Sequence, residues 1–157
     1  MKTVLMVVGR TTDPHFTAAI DDYVGRLRHY LTFDVEVIPE LRSTKSLSAD
    51  QQKEREGELI LRALQPGDHL VLLDEGGREM RSVEFADFMR RRMNTVGRRL
   101  VFLIGGPYGF SPKVYAAASE RVSLSRMTFS HQMVRLIFVE QLYRAMTILR
   151  GEPYHHE

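Results

Sequence analysis

Five short apolar segments along the chain have the length and residue types of β-strands. Most are unbroken runs rich in β-branched residues, a pattern that predicts buried strands of a parallel sheet. The second alternates apolar and polar positions until Pro39 and predicts a strand with one exposed side. The predicted strands are Thr3 to Val8, Phe33 to Ile38, His69 to Leu73, Leu100 to Ile104 and Val122 to Leu124. Asp74-Glu75-Gly76-Gly77 is predicted to be a glycine-rich turn at the exit of the third strand.

Capping residues and apolar spacing predict helices between these strands. Asp13 is a good N-cap and Pro14 suits the first helical position, so a helix begins there and carries an apolar stripe to Leu27. Ser82 is predicted to cap a later helix. The remaining predicted helices are about Asp50 to Leu64, Ser111 to Ala118 and about His131 to Leu149, whereas Glu40 to Ala49 is predicted to be a mobile polar loop. The alternation predicts a single α/β domain over residues 1–157, with a mostly parallel sheet and helices on both faces.

The last predicted helix is apolar on nearly every side, from Met133 to Leu149. A helix of this kind needs cover on two sides. We therefore predict a homodimer in which one side of the helix packs on the sheet and the other on a partner subunit. The alternative is a monomer in which this helix is central and fully buried.

Composition limits the classes of function. The 157 residues include no cysteine, which excludes disulfides and thiolate chemistry, and the six histidines form no recognised metal-ligand pair. No metal is therefore expected. The net charge of +2 permits a nucleic-acid partner without requiring one. No apolar run is long enough for a membrane span and the amino terminus lacks a signal-peptide pattern, so a cytoplasmic protein without a membrane partner is predicted. The run Arg90 to Arg92 is predicted to be a solvated helix face.

Two irregular segments predict a ligand site. Gly105-Gly106-Pro107-Tyr108-Gly109 follows a buried strand, and Ser123 to Phe129 is small and polar before the last helix. Glycines at a strand exit let the backbone approach a ligand, although the cluster is equally compatible with a simple tight turn. The turn lacks the P-loop ending and the GxGxxG spacing, and the chain has no GxSxG motif. The pattern favours a ligand held mostly by backbone.

Several motifs occur together in a fixed order: LVLLDEGG, FLIGGPYGF and the block SLSRMTFSHQMVRLIFVEQLYRAMTILRGEPYH. In this combination the whole chain resembles the RlmH family of the SPOUT methyltransferase superfamily. Ser130 departs from the family, which usually has proline before the histidine. The resemblance implies a trefoil-knotted α/β fold and a homodimer that uses S-adenosylmethionine to methylate N3 of a pseudouridine in large-subunit ribosomal RNA of the assembled ribosome.

The resemblance also implies roles for particular residues. The cofactor is expected to contact Leu73, Gly105, Leu124, Ser125, Arg126, Met127, Thr128 and Phe129. The residues expected to act near the reacting atoms are His131, Glu140, Arg144, Tyr154 and His155. We expect Tyr154 and His155 of one subunit to close over the cofactor of the other. Arg144, Arg135 and Lys113 are expected phosphate contacts. Alternatively, Glu140 and Arg144 simply pair along the helix and the tail is disordered.

Side chains need to contribute little to the methyl transfer itself, because a sulfonium is already an activated methyl donor. Alignment of the nucleophilic nitrogen with the methyl group supplies much of the rate. Which group accepts the N3 proton stays open at this point. Two other functions are compatible with the same sequence. One is a SPOUT reaction that methylates the ribose 2′-oxygen of RNA, and the other is a ribosome-associated factor without catalysis.

Overall fold

The computed structural model describes all residues from 1 to 157. Strands and helices alternate along the chain. The strands are β1 Lys2–Val8, β2 Phe33–Ile38, β3 His69–Glu79, β4 Arg99–Ile104 and β5 Glu120–Ser123. The helices are α1 Pro14–Leu27, α2 Ala49–Ala63, α3 Ser82–Thr95, α4 Pro112–Ala117 and α5 Met133–Leu149, and a short 3₁₀ turn covers Thr44–Ser46.

The five strands form one sheet in the order β2-β1-β4-β3-β5. Every neighbouring pair is parallel. All carboxyl ends therefore lie at one edge of the sheet, which is where ligands bind in open α/β proteins. The predicted α/β class and parallel sheet are confirmed, and the parallel pairing is complete.

Side chains of the central strands alternate between two apolar cores. Leu5 and Phe102 belong to the core that lies under α1, α3 and α5. Met6 and Leu103, their neighbours in sequence, belong to the core on the opposite face, under α2 and α4. Because β1 and β4 are covered on both sides, their sequences are continuous apolar runs. Helices on both faces were predicted and are confirmed.

Helix starts follow local capping chemistry, with one correction. Asp13 caps α1 by accepting from the backbone nitrogen of His15 at 2.8 Å. Ser82 was predicted to cap α3, but Arg81 is the N-cap, and its backbone nitrogen donates to the Glu84 carboxylate at 2.8 Å. The Ser82 hydroxyl instead donates to Gln141 on α5 at 2.9 Å. Its hydroxyl therefore links α3 to α5.

The third strand continues past its predicted end. The sequence predicts a turn at residues 74–77, yet β3 runs to Glu79 and pairs again with β5 after this excursion. Both Leu73 and Arg78 align with Val122, so the four residues between them form a bulge. A Cβ on Gly77 would lie 2.7 Å from the backbone of β5. Glycine is required there because the two strands approach so closely.

Two expectations about arginines need correction. Arg90 and Arg91 are exposed and pair with Asp87, as predicted for a solvated face. Arg92 is half-buried, forms an ion pair with Glu120 and lies over the Phe88 ring. Arg135 was expected to contact phosphate, but it is 2% exposed and donates to the carbonyl oxygens of Val8 and Gly9. The carbonyl groups at the carboxyl end of β1 bind this buried guanidinium, so Arg135 is not available to contact RNA.

Candidate functional site

A pocket of about 450 Å³ opens between the carboxyl end of β4 and the bulge of β3. Its volume lies within the range typical of small-molecule sites. Three segments enclose it, namely the bulge of β3, the glycine turn after β4 and the loop between β5 and α5. The lining residues are Leu73, Asp74, Glu75, Ile104 to Phe110, Tyr115, Leu124, Ser125, Met127 to Phe129, His131 and Val134.

The glycine turn forms one wall of the pocket. Gly109 has φ +81° and its backbone nitrogen donates to the Gly106 oxygen at 3.2 Å, which closes the turn. Gly109 therefore occupies a conformation that residues with a Cβ rarely adopt. A Cβ on Gly105 would lie 2.8 Å from the Phe110 ring, which also lines the pocket. Any larger residue at position 105 would displace a wall of the site.

The loop from residue 124 to 131 forms the opposite wall and is held by its own small side chains. The Ser123 hydroxyl donates to the Ser125 carbonyl at 3.1 Å, and the Ser125 hydroxyl accepts from the backbone nitrogen of Met127 at 3.0 Å. Thr128 donates to the Glu75 carboxylate at 3.0 Å and so connects this loop to the β3 bulge. Hydroxyl groups compensate for the missing regular structure here. Met127 is left 76% exposed at the rim.

The pocket is acidic as well as apolar. Asp74 and Glu75 contribute carboxylates, and no lysine or arginine belongs to the lining. The Tyr115 hydroxyl donates to Asp74 at 3.4 Å, and burial followed by the charge of Asp74 raises the pKa of Tyr115. Two carboxylates with no cationic side chain beside them would repel a polyphosphate, so this lining disfavours such a ligand. It suits a ligand that carries positive charge and a flat apolar group.

His131 lies at the junction of this pocket and a second, more open cavity. The second cavity has about 630 Å³ and is lined by residues 12–16 and 130–132. Burial, followed by the positive charge of Arg135, lowers the pKa of His131. A lowered pKa keeps the imidazole neutral near pH 7. His131 therefore presents a neutral imidazole, which has one acceptor nitrogen, at the boundary of the two cavities.

A separate cluster of side chains lies along the outer side of α5. Arg144 donates to Glu140 at 2.7 Å, and the Tyr154 hydroxyl donates to the same carboxylate at 3.0 Å. Tyr154 also shares a hydrogen bond of 3.0 Å with Tyr23 on α1. The carboxyl-terminal tail is thus fixed against its own subunit. Burial and then the hydrogen bonds to Tyr23 and Glu140 raise the pKa of Tyr154.

His155, the last residue of this cluster, has a ring nitrogen without a hydrogen-bond partner. Arg144 donates to its Nδ1 at 3.1 Å, which places the ring proton on Nε2. That Nε2 is buried and has no hydrogen-bond partner, since the Glu157 carboxylate is 3.9 Å away. An unsatisfied buried donor is costly, and a bound acceptor would relieve the cost. The Tyr154 ring is engaged by Arg144 on one face and by Tyr143 in a T-shaped contact.

The sequence-predicted site residues thus fall into two groups. Those that line the pocket are Leu73, Gly105, Leu124, Ser125, Met127, Thr128, Phe129 and His131. Arg126 does not line it, because its side chain is 82% exposed and pairs with Glu79. Glu140, Arg144, Tyr154 and His155 also lie outside it. Arg144 follows Val134, a pocket residue, by ten positions, which corresponds to about 15 Å along a helix.

The structure also adds pocket residues that sequence reasoning missed. Asp74 and Glu75 belong to the segment that was predicted to be a turn, and Tyr115 lies on α4. An acidic pair directly after a buried strand is a usable signal for the first two. No pattern in the sequence indicates that Tyr115 faces this pocket, because α4 reaches it only through the tertiary fold.

The fold and this pocket define an α/β protein with a cavity of small-molecule size at the strand ends of a parallel sheet. Residues 1–155 match a family model described as a predicted SPOUT methyltransferase. The chain is 71% identical to the ribosomal RNA large subunit methyltransferase H of Bacteroides thetaiotaomicron, over the full length of both chains. It is 68% identical to that of Phocaeicola vulgatus, again over both full lengths, and 54% identical to that of Christiangramia forsetii, over 99% of each chain. The chain therefore belongs to the RlmH family of SPOUT methyltransferases, as the resemblance predicted.

None of its helices combines the length and the apolar character needed to cross a membrane.

Proposed function

We propose that the protein acts as one domain spanning residues 1–157 and transfers a methyl group from S-adenosylmethionine to large-subunit ribosomal RNA. One observation carries the cofactor assignment. The pocket between the carboxyl end of β4 and the bulge of β3 is apolar and acidic, and no lysine or arginine lines it. The RNA assignment is supported by the names of the full-length relatives.

The residues of the pocket fit this cofactor. Leu73, Leu124 and Phe129 offer apolar walls for an adenine ring, and adjacent backbone groups offer donors and acceptors for its edge. Asp74 and Glu75 line the same pocket, and their carboxylates would favour a ligand with a cationic sulfonium and amino group. The turn around Gly105 has no room for a larger side chain, so the backbone itself approaches the ligand.

When bound, the cofactor supplies an already activated methyl group, and the residues of the chain supply alignment and proton transfer. The glycine turn and the loop with Ser125 orient the donor. His131 is neutral and adjoins both cavities, so we assign it the proton from N3 of the target pseudouridine. Glu140 and Arg144 hold the tail, and His155 donates through its free Nε2 to the base. Tyr154 anchors the tail in this conformation, and its ring becomes available for base stacking only after it leaves Arg144.

We propose that the working unit is a homodimer. Arg144 lies about 15 Å along α5 from the pocket residue Val134, and no residue of the α5 cluster lines the pocket of its own chain. Antiparallel packing of two α5 helices around a two-fold axis would bring the cluster of one subunit to the pocket of the other. Apolar side chains on the outer part of α5 support this packing, because Met133 is 37% and Leu149 is 36% exposed. We also propose that this homodimer acts on ribosomes in the cytoplasm of a bacterium, because the full-length relatives are bacterial ribosomal RNA methyltransferases.

The reaction is tested by incubating ribosomes with S-adenosylmethionine labelled in its methyl group and digesting the RNA to nucleosides. We expect label on the base of a pseudouridine. Label on ribose would assign the alternative 2′-oxygen reaction, and absence of label with retained ribosome binding would indicate a factor without catalysis. Ribosomes already methylated by the protein serve as the negative control.

The shared site is tested by complementation between two inactive variants. Gly105→Val disables the pocket and leaves the tail, whereas deletion of residues 153–157 removes the tail and leaves the pocket. If sites are shared between subunits, each mixed dimer holds one complete site, so random mixing should restore about a quarter of wild-type activity. If each site is built within one chain, mixing restores nothing. Co-expression with two different tags allows the mixed dimers to be isolated.

A further inference from the structure

The glycine turn is held from outside the pocket by a carboxylate on α2. The backbone nitrogen of Gly106 donates to Glu56 Oε1 at 2.9 Å. Glu56 is half-buried and does not line the cofactor pocket. It is also the only acidic side chain that bonds to the turn. The contact therefore connects α2, which packs beside α4 on one face of the sheet, to a wall of the site.

Two glycines make this contact possible. A Cβ on Gly106 would lie 2.3 Å from Glu56 Oε2, so only glycine leaves room for the carboxylate. A Cβ on Gly57 would lie 2.5 Å from the hydroxyl of Ser111, the N-cap of α4. Gly57 thus lets α2 dock closely against the start of α4, and that docking brings the neighbouring Glu56 within reach of the turn.

The carboxylate is not a favourable choice for this position on its own. Burial raises the pKa of Glu56, and the hydrogen bond from Gly106 only partly opposes this shift. A half-buried carboxylate has a desolvation cost that a neutral side chain would avoid. The hydrogen bond from Gly106 is the contact that compensates for part of this cost.

The bond fixes the orientation of one peptide. In a trans peptide the N–H and C=O groups point in opposite directions. Because the Gly106 N–H points toward α2, the carbonyl of Gly105 points away from α2. A peptide flanked by two glycines rotates easily, since neither residue restricts its dihedral angles. Without an external partner, this peptide would sample both orientations.

We propose that Glu56 is a positioning residue that prevents the Gly105-Gly106 peptide from flipping and so keeps the Gly105 carbonyl available to the cofactor. The residue acts through the backbone and does not touch the cofactor. This inference rests on the cofactor site proposed above. It predicts that the required property of residue 56 is an acceptor at the right reach, and not a negative charge.

Three substitutions at residue 56 distinguish the effect of side-chain length from the effect of negative charge. Glu56→Gln keeps an oxygen at the same distance, Glu56→Asp keeps the charge but shortens the side chain, and Glu56→Ala removes both. By calorimetry with S-adenosylmethionine, we expect Glu56→Gln to bind within about threefold of wild type and the other two about tenfold more weakly. At saturating cofactor, the turnover of all three should stay within about threefold of wild type. Glu58→Ala, which removes an exposed carboxylate from the same helix, is the matched control and should not change affinity.

The opposite ranking, with Glu56→Asp tighter than Glu56→Gln, would overturn the inference, as would wild-type affinity in all three variants. Amide hydrogen exchange in the ligand-free protein gives an independent measurement. The Gly106 amide should be protected in wild type and Glu56→Gln, and should exchange at least about tenfold faster in Glu56→Asp. Equal exchange would also contradict the inference. If wild type itself does not bind S-adenosylmethionine, the proposed function fails, and the exchange data still decide the role of Glu56.

A double-mutant cycle tests the close approach directly. Gly106→Ala places a methyl group against the Glu56 carboxylate in wild type, and the Glu56→Ala background removes the three atoms nearest to that methyl group. We expect Gly106→Ala to weaken cofactor binding about tenfold in wild type and less than threefold in Glu56→Ala. Equal effects in the two backgrounds would show that the two residues are not coupled and would overturn the inference.

Discussion

The pocket and the cluster on α5 are built in opposite ways. The pocket depends on backbone, glycines and short hydroxyl side chains, and its position is set by strand ends. The cluster depends on long polar side chains that hold one another, with Glu140 accepting from both Arg144 and Tyr154. A backbone site is sensitive to added atoms, whereas a side-chain network is sensitive to removed ones. The two regions should therefore lose function through different kinds of substitution.

The largest effect is expected from adding atoms to the pocket. Gly105→Val should abolish detectable binding of S-adenosylmethionine by calorimetry, because its Cβ would lie 2.8 Å from the Phe110 ring. Gly97→Val is the matched control, since a Cβ there has no neighbour within 4 Å. Unchanged affinity in Gly105→Val would show that the cofactor binds elsewhere.

Removing the tail should separate binding from chemistry. Deletion of residues 153–157 should lower methyl transfer by more than about 100-fold, because it removes Tyr154 and His155. Cofactor affinity should stay within about twofold of wild type, since no tail residue lines the pocket. Single-turnover assays on ribosomes, combined with calorimetry, measure both quantities. Full activity in the truncated protein would leave the α5 cluster without a catalytic role.

Weakening the network while keeping the tail should give an intermediate effect. Arg144→Ala removes the partner of Glu140 and of His155 Nδ1. We expect a loss of about tenfold to 100-fold in turnover with little change in the KM for S-adenosylmethionine. Arg90→Ala, at an exposed pair with Asp87, is the control and should behave as wild type. A rise in KM alone would place Arg144 in the cofactor site.

The smallest effect concerns the pH dependence of stability. The pKa of His131 is lowered in the folded protein, so the unfolded chain binds the proton more readily. Stability linked to this residue is therefore present above its unfolded pKa of about 6.5 and declines as the pH falls through that value. Urea unfolding of wild type and His131→Asn at pH 5 and pH 7.5 measures the difference. Wild type should lose more stability on acidification than the variant, and parallel losses would contradict the assignment.

The sequence predicts local structure better than it predicts how distant segments meet. The apolar runs predict all five strands. Asp13 and Pro14 predict that α1 begins at Pro14, which is where it begins in the structure. The Gly-Gly pair after Leu73 has the same local signature in a turn and in a bulge, so the continuation of β3 is not predictable from that segment alone.

Side-chain environment is harder to predict because it depends on the assembled fold. Arginine usually favours the surface, yet the strand-end carbonyls of Val8 and Gly9 accept Arg135 in the interior. Most residues that the resemblance assigns to the cofactor line the pocket, whereas the side chain of Arg126 turns to Glu79 at the surface. Their contacts with the cofactor stay predictions. The knot and the sharing of the site between subunits stay predictions, since neither follows from spacing along the chain.

The location of β4 at the middle of the sheet affects how the protein is made. β4 lies between β1 and β3, although both of those strands precede it in the sequence. During synthesis, β1 and β3 have no common neighbour to pair with until residues 99–104 have left the ribosomal tunnel. Until then β1 can pair only with β2, and β3 has no partner because its other neighbour, β5, is synthesised later still. An apolar strand that waits for its neighbours favours slow folding and exposure to aggregation. Protection by a chaperone during that interval would matter more for this protein than for one whose strands pair in the order of their synthesis.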